Sequence, residues 1–273
     1  MDTNRILLNY SSLQYSHSES MLPNTERFDV HCHGTYELIY ILQGEGKHVI
    51  EGVEYQLLPH TLFLMRPYEY HYVCPDRNRA YERVVLYFDE SALPPSTKES
   101  PLLRESGGRC FSIGSIGNPI RSAFDALKGI ATLSQNGTAC TPESEALLRA
   151  TIAQIMLLLT QEEPRAPLTD ESGVVHRVID YLNNHLSEDI SLEVISKEFF
   201  ISKYHLCRIF HRQTGASIFN YFSTKRIALA QQMIAGGENA TSVALRLGFR
   251  DYSTFYRAYR KQTGQSPVRK LSR

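Results

Sequence analysis

A run written twice constrains this chain more than any other feature. Ile209-Phe-His-Arg-Gln-Thr-Gly-Ala-Ser217 returns as Ala258-Tyr-Arg-Lys-Gln-Thr-Gly-Gln-Ser266, 49 residues further on. Self-similarity at a fixed offset marks one supersecondary unit used twice. Upstream of each copy lies a short helical pattern, Ile195 to Phe199 or Val243 to Leu247, that meets a turn at Phe200-Ile201 or Gly248-Phe249. A second helix follows, with Leu206, Ile209 and Phe210 inward in the first copy and Phe255, Ala258 and Tyr259 in the second. Two short helices around a tight turn, the second carrying exposed cations, form the pattern of a DNA-reading helix-turn-helix. Ile218 to Ala235 reads as one long helix that spaces the two units and stops at Gly236-Gly237, while Ser266-Pro267 is expected to cap a final basic helix.

Charge supports that reading once the average is broken up. The whole chain carries 29 Lys+Arg against 29 Asp+Glu. From Ser172 to Arg273 there are 15 against 7, a balance of +8, which leaves −8 for the remainder. A basic end on an acidic body is the asymmetry of a DNA reader joined to a separate module, and 273 residues suffice for two cores. Five cysteines, Cys32, Cys74, Cys110, Cys140 and Cys207, follow no zinc or disulfide spacing, so a reducing cytoplasm is expected. Met1 to Tyr10 lacks the basic-then-apolar pattern of a secretory leader. The longest apolar run, Ile155 to Leu159, falls far short of a bilayer's thickness, so no membrane partner is expected.

The first part of the chain reads as short strands, among them Glu37–Leu42, Lys47–Ile50, Thr61–Met65 and Arg83–Phe88, separated by Gly-, Asn- and Pro-containing turns. Such spacing predicts a sandwich or small barrel. The period then changes. Ile120, Phe124, Leu127 and Ile130-Ala131 share a helical face, and Thr141-Pro142-Glu143 opens a second helix bearing Leu148, Ile152, Ile155 and Leu159. That helix is also apolar at Leu147, Met156, Leu157 and Leu158, more than one stripe needs, which predicts packing on the barrel and on the partner of a homodimer. The expected division is a barrel over 1–112, a helical dimerisation segment over 113–162, a Pro-containing linker over 163–172 and a DNA-binding domain over 173–273.

Within the repeats, Lys203, Tyr204, Cys207, Arg208, His211 and Arg212 remain outward in the first copy, and Arg250, Ser253, Thr254, Tyr256, Arg257, Arg260 and Lys261 in the second. Arg208 and Arg257 suit bidentate contacts to guanine. Lys203, Arg212, Arg260 and Lys261 suit phosphates, which add affinity without sequence information. Ser202-Lys-Tyr-His-Leu-Cys-Arg-Ile-Phe210, Thr214-Gly215, Tyr221, Arg226, Ala244, Gly248-Phe249, Phe255 and Gly264-Gln-Ser-Pro267 together resemble the AraC/XylS family of bacterial transcription regulators, from Val174 to the end. The resemblance implies two recognition helices in successive major grooves, with base contacts from Tyr204, Cys207, Arg208, Ser253, Thr254, Tyr256 and Arg257. Two positions depart from the family pattern: Phe200 stands at the turn where Gly is usual, and Ser196 replaces a common Ala.

A second signal lies in the first half. His31-Cys-His33, Glu37 and Gly44 have the spacing of the first cupin motif, and Pro67-Tyr-Glu-Tyr-His71 could supply the second. Alternate histidines on a strand face one way. The cluster also resembles the ligand-sensing barrels of the same regulators. His31, His33, Tyr36, Glu37 and His71 are therefore read as binding an organic effector, such as a sugar, with Tyr36, Tyr40, Tyr70 and Tyr72 around them. No metal or other cofactor is assigned; a metal held by His31, His33, Glu37 and His71 is the alternative. No Gly-x-Ser-x-Gly elbow, phosphate loop or Cys-x-x-Cys pair is present.

The expected protein is thus not an enzyme. It is an α+β multidomain regulator with an N-terminal cupin-like, jelly-roll β-barrel, a helical dimerisation segment and a C-terminal all-α domain with two helix-turn-helix motifs. It binds double-stranded promoter DNA under control of a small-molecule effector. The resemblance implies activation through RNA polymerase, with repression as the alternative. The rival readings are a metal-dependent cupin enzyme fused to DNA-binding helices and an architectural protein without an effector.

Overall fold

A computed structural model describes residues 3–10, 12–23, 28–104, 108–114, 117–135, 141–168 and 173–267. Cys140 and the basic stretch after Pro267 lie outside the described residues. The chain divides into two compact units, one of Met1–Ile50 and Glu54–Leu168, the other with Thr169–Arg273 as its continuous part. No helix among the described residues is long and apolar enough to cross a membrane.

The first unit carries β1 (Thr3–Asn9), β2 (Leu13–Ser20), β3 (Tyr36–Gln43), β4 (Gly46–Ile50), β5 (Val53–Leu57), β6 (Thr61–Met65), β7 (His71–Pro75), β8 (Tyr81–Phe88) and β9 (Cys110–Ser112). They form a six-stranded sheet ordered β1-β2-β8-β3-β6-β9 and a three-stranded sheet ordered β5-β4-β7, the cupin-like architecture expected. β3 pairs antiparallel with both β6 and β8, and residues 36–41 are buried on both faces. Period-2 alternation therefore sends Tyr36, Leu38 and Tyr40 to one side and Glu37, Ile39 and Ile41 to the other.

The first side is a helix-covered core. After the short α1 (Pro95–Lys98), α2 (Pro119–Gln135) and α3 (Pro142–Leu159) follow. Ile120, Phe124 and Leu127, with Leu148, Ile152, Ile155, Met156 and Leu159, join Tyr36, Leu38, Tyr40, Leu62, Leu64, Leu86 and Phe88 in one cluster. Thr141 caps α3 through Ser144 N–H, with Pro142 in the first turn, as the sequence indicated. The helical segment is thus part of the sensor's own core. Leu147 and Leu157, by contrast, remain 55% and 49% exposed. The expected linker also starts attached: Phe111 bridges Pro164, Arg165 N–H donates to Cys110 O at 2.8 Å and Leu168 N–H to Glu54 O at 2.6 Å. The prolines that break both periods leave neighbouring amides free to pair with a sheet edge. Residues 169–172 lie outside the described set.

The second unit is helical: α4 (Val174–Asn184), α5 (Leu192–Glu198), α6 (Lys203–Thr214), α7 (Ile218–Ala235), α8 (Ala240–Arg246) and α9 (Tyr252–Thr263). Each start from α5 onward has a side-chain cap, from Ser191, Ser202, Ser217, Asn239 and Asp251. The repeated Thr-Gly is the helix stop. Thr214 Oγ1 donates to Phe210 O and Thr263 Oγ1 to Tyr259 O at 2.8 and 2.9 Å, before left-handed Gly215 and Gly264.

The two helix-turn-helix turns are built alike. Phe200 and Gly248 both adopt positive φ, 53° and 67°. In each, the following amide reaches back to close the preceding helix, Ile201 N–H to Ser196 O at 3.0 Å and Phe249 N–H to Ala244 O at 3.1 Å, the Schellman arrangement. Ser196 Oγ adds a bond to Ile201 O at 2.5 Å, a clamp that Ala244 cannot supply. Phe200 is 96% exposed, so its side chain returns little for the left-handed backbone. A Cβ on Gly248 would lie 2.9 Å from Arg226 Nη2 and 3.3 Å from Ser187 O. The same backbone position thus predicts opposite outcomes in urea unfolding. Phe200→Gly should stabilise the chain by about 0.5 kcal/mol, left-handed strain relieved less glycine's entropy. Gly248→Ala should destabilise it by about 2 kcal/mol.

Candidate effector pocket and nucleic-acid interface

His31 and His33 lie on a segment that runs beside β7. His31 and His71 exchange backbone bonds at 3.2 and 3.0 Å, and Tyr68 N–H donates to His33 O at 2.7 Å. This pairing puts both imidazoles against Glu37, which projects from β3 between the two sheets. Glu37 is 2% exposed, and its Oε2 lies 2.8 Å from His33 Nε2 and 2.9 Å from His71 Nε2. One ligand atom from each of His31, His33, Glu37 and His71 falls within 4.8 Å of all the others. Burial pushes the Glu37 carboxyl up, but the two imidazoles outweigh it and hold the group well below the usual carboxylate range. Burial opposes charge on His71 as well; Glu37 overrides it and raises the imidazole.

The backbone fixes each ring. His31 Nδ1 meets Asp29 O at 2.8 Å, His33 Nδ1 meets Thr35 O at 3.0 Å and His71 Nδ1 meets Glu69 O at 2.8 Å. A carbonyl only accepts, so each Nδ1 carries a proton, while the Nε2 atoms of His33 and His71 face the Glu37 carboxylate. The Glu69 carboxylate is in turn held by Arg109 at 2.8 Å and by the Arg66 amide at 2.9 Å, which steadies the carbonyl behind His71.

Two tyrosines assigned to this cluster are elsewhere. Tyr36 stacks on Phe88 with centroids 5.4 Å apart and Tyr40 packs on Phe124 at 4.6 Å, both in the helix-covered core. Adjacent residues of a strand face opposite ways, so Glu37 inward means Tyr36 outward. Tyr87, opposite Glu37 in the β3–β8 register, is the aromatic neighbour instead, its ring 5.0 Å from His33. A cleft of about 260 Å³ borders the cluster at His33 and Tyr87 and is further lined by Tyr10, Leu13, Gln14 and Thr35. Deeper between the sheets, His48 is fully buried 4.5 Å from Phe63 and 6.1 Å from His71. Neither of its nitrogens has a hydrogen-bond partner among the described residues, and burial lowers it well below the ordinary histidine range.

In the helical unit every sequence-assigned DNA contact falls on α6 or α9, the second helix of each pair. Lys203, Tyr204, Arg208 and Arg212 are exposed on α6, with Cys207 half-buried; Ser253, Thr254, Arg257, Arg260 and Lys261 are exposed on α9, with Tyr256 half-buried. Leu206, Ile209 and Phe210, then Phe255 and Tyr259, bury the opposite faces. Two assigned groups are already engaged. Lys203 Nζ pairs with Glu193, and Thr254 Oγ1 donates to the capping Asp251 at 2.9 Å. Arg208 Nη2 lies 3.2 Å from His205 Nδ1.

Comparison with known proteins assigns the same two parts. A model described as an AraC-like ligand binding domain matches residues 20–152, and one described as a helix-turn-helix domain matches residues 195–273. Over 250 residues the chain is 22% identical to the HTH-type transcriptional activator RhaS of Escherichia coli strain SMS-3-5, covering 91% of this chain and 89% of that one. The same figures hold for RhaS of Salmonella arizonae. The chain belongs to the AraC family of transcription regulators. Among solved structures, ToxT of Vibrio cholerae O395 is similar over 94% of this chain and 96% of that one, at a TM-score of 0.38 and 13% identity.

Within this AraC-family regulator one buried arginine ties together segments of the helical unit. Arg226, on α7, is 8% exposed. Its Nε donates to Leu186 O at 2.8 Å, its Nη1 to Gly248 O at 3.4 Å and its Nη2 to Glu188 O. The guanidinium also lies over Phe222, 4.1 Å from the ring centroid. Burial lowers its affinity for the proton, with Asp189 opposing. The sequence supplied Arg226 only as part of a resemblance; nothing in its spacing foretold three carbonyl partners. Arg226→Met should cost about 3 kcal/mol in urea unfolding, since the change strands buried acceptors. Arg226→Lys should recover only part of that cost, because an ammonium lacks the fork.

Proposed function

We propose that the protein is an effector-controlled transcription activator that binds promoter DNA as a homodimer, with α6 and α9 reading successive stretches of major groove. The observation that carries this is the matched pair of capped helices, each burying one face and leaving cations and polar side chains on the other. The RhaS relatives are described as transcriptional activators, and recruitment of RNA polymerase is the corresponding mode of action here. Arg208 and Arg257 read bases; Arg212, Arg260 and Lys261 hold phosphates. Lys203 reaches a phosphate only by leaving Glu193, and Thr254 contributes its methyl rather than its donated hydroxyl.

The effector is a small polar molecule, a sugar being one such class, in the cleft beside His33 and Tyr87. At about 260 Å³ the cleft lies just below the range typical of drug-sized ligands. Control follows from unequal affinity of that molecule for two arrangements of the regulator, since equal affinity shifts nothing. Dimerisation uses the exposed stripe of α3 that includes Leu147, Ala150 and Leu157.

Two measurements test these assignments. Arg257→Ala should weaken binding to the cognate operator by about 1–3 kcal/mol and relax preference at one base pair. Lys261→Ala should weaken cognate and random DNA alike and reduce the salt slope by about 1. Equal effects of both substitutions on both DNAs would overturn the division into readers and anchors. In sedimentation, Leu147→Asp with Leu157→Asp should yield a folded monomer; an unchanged dimer would remove α3 from the interface.

A further inference from the structure

We propose that Arg83 anchors an oxyanion-binding subsite, so that the effector carries a carboxylate or a phosphate group. The inference rests on reading the first unit as an effector-binding module and adds the charge of the molecule it takes.

Register places the subsite. Arg83 on β8 stands opposite Ile41 of β3 and Ser18 of β2. Cross-strand partners share a face, and Arg83, Val85 and Tyr87 alternate onto the face that carries Glu37. Tyr87, beside the His33 cleft, lies four residues away, about 13 Å along the strand. The guanidinium is therefore a group apart from the histidines around Glu37.

The surroundings of Arg83 hold it without neutralising it. Its Cζ lies 4.8 Å from the Phe28 ring centroid and 5.4 Å from that of Tyr81. Aromatic faces attract a guanidinium and fix its plane, while the N–H edge stays available. Nη1 donates to Tyr81 Oη at 3.4 Å, a long bond. Nε is buried and has no hydrogen-bond partner among the described residues. No carboxylate among those residues pairs with Arg83. Glu37, whose charge acts on it, is already committed to His33 and His71.

A partly desolvated cation with unused donors is costly until an anion completes it. Carboxylates and phosphates match it best, because they take two parallel N–H bonds from one guanidinium. The Ser18 hydroxyl, directly opposite, adds a donor on the same face. His48 supplies another orphan in this interior. It lies two residues from Ile50, which pairs with the inward His71, and neither of its nitrogens has a partner among the described residues. Burial first, then the charges of His71 and Arg83, hold it neutral. Donors thus outnumber acceptors on this side of the sheets.

The test uses the tag-free full-length protein and two probes, sodium acetate and inorganic phosphate, each against sodium chloride at equal ionic strength. At least one probe should raise the melting temperature of the native chain by about 3 °C more than that of Arg83→Met. The probe that does so separates a carboxylate effector from a phosphorylated one. Comparing the two proteins removes the general effect of phosphate as a salt and any binding to the cations of α6 and α9. Arg83→Lys keeps the charge without the fork and should respond to an intermediate degree. It also carries the comparison where Arg83→Met does not fold. Equal shifts in native and altered chains for both probes would overturn the proposal. So would a response that appears only in Glu26→Gln, since a carboxylate outside the described residues would then already neutralise Arg83. Glucose that stabilises the native chain and Arg83→Met alike would leave the effector-binding reading standing and remove its anionic class. DNA affinity without probe, measured on the same samples, keeps a failure of the promoter-binding reading separate.

Discussion

The helical unit depends on one buried cation that meets mostly carbonyls. Arg226 leaves α7, the helix between the two helix-turn-helix pairs, and donates to the segment after α4 and to the turn before α9. An arginine is fit for this because its fork points in several fixed directions at once and stacks flat on an aromatic ring, here Phe222. The cost of desolvating it is offset by partners that cannot move far: carbonyls at the ends of segments already closed by caps. The left-handed turn at Gly248 belongs to the same arrangement, since a side chain there would strike the guanidinium. The turn before α9 is therefore held by a contact made from outside its own helix pair.

The sensor solves a different problem with one strand. β3 is buried on both faces, so its alternation divides an apolar layer against α2 and α3 from an interior between the sheets that holds Glu37 beside Ile39 and Ile41. Glu37 sits there at the cost of its hydration, and the two imidazoles beside it offset that cost. The carbonyls behind the rings, and the Arg66–Glu69–Arg109 network behind one of those carbonyls, limit how far the cluster can relax. Rigid donors around a cleft make a selective site, because a ligand that does not match the fixed directions leaves polar groups stranded.

Much of this was legible in the sequence because it rests on local rules. The two helix-turn-helix units, the bounds of α7, the start of α3 at Thr141-Pro142 and the strands at β3, β4, β6 and β8 follow from caps, glycines and periodicity. So does the His31, His33, Glu37 and His71 grouping, through strand alternation and spacing. What was missed depends on pairings distant in sequence. Tyr36 was placed beside Glu37 because it is next to it in sequence, yet neighbours on a strand face apart. Tyr87 entered the site through the β3–β8 register, which no local pattern states. Leu147 and Met156 were indistinguishable as letters on a helix; only packing on the sheet separated a surface leucine from a core methionine. The polar run after Glu163 looked like a tether, and its first half is stitched to the edge of the sheet.

The repeated Thr-Gly turned out to be punctuation, ending α6 and α9 after equal lengths. The letters that would be read against bases have not been copied. Tyr204 answers to Ser253 and Cys207 to Tyr256, and of the proposed base-contacting set Arg208 and Arg257 alone coincide. Duplication has thus preserved a ruler while letting its markings drift. On the proposed reading, a protomer of this kind spells two different words in tandem, and its target site has an unambiguous head and tail.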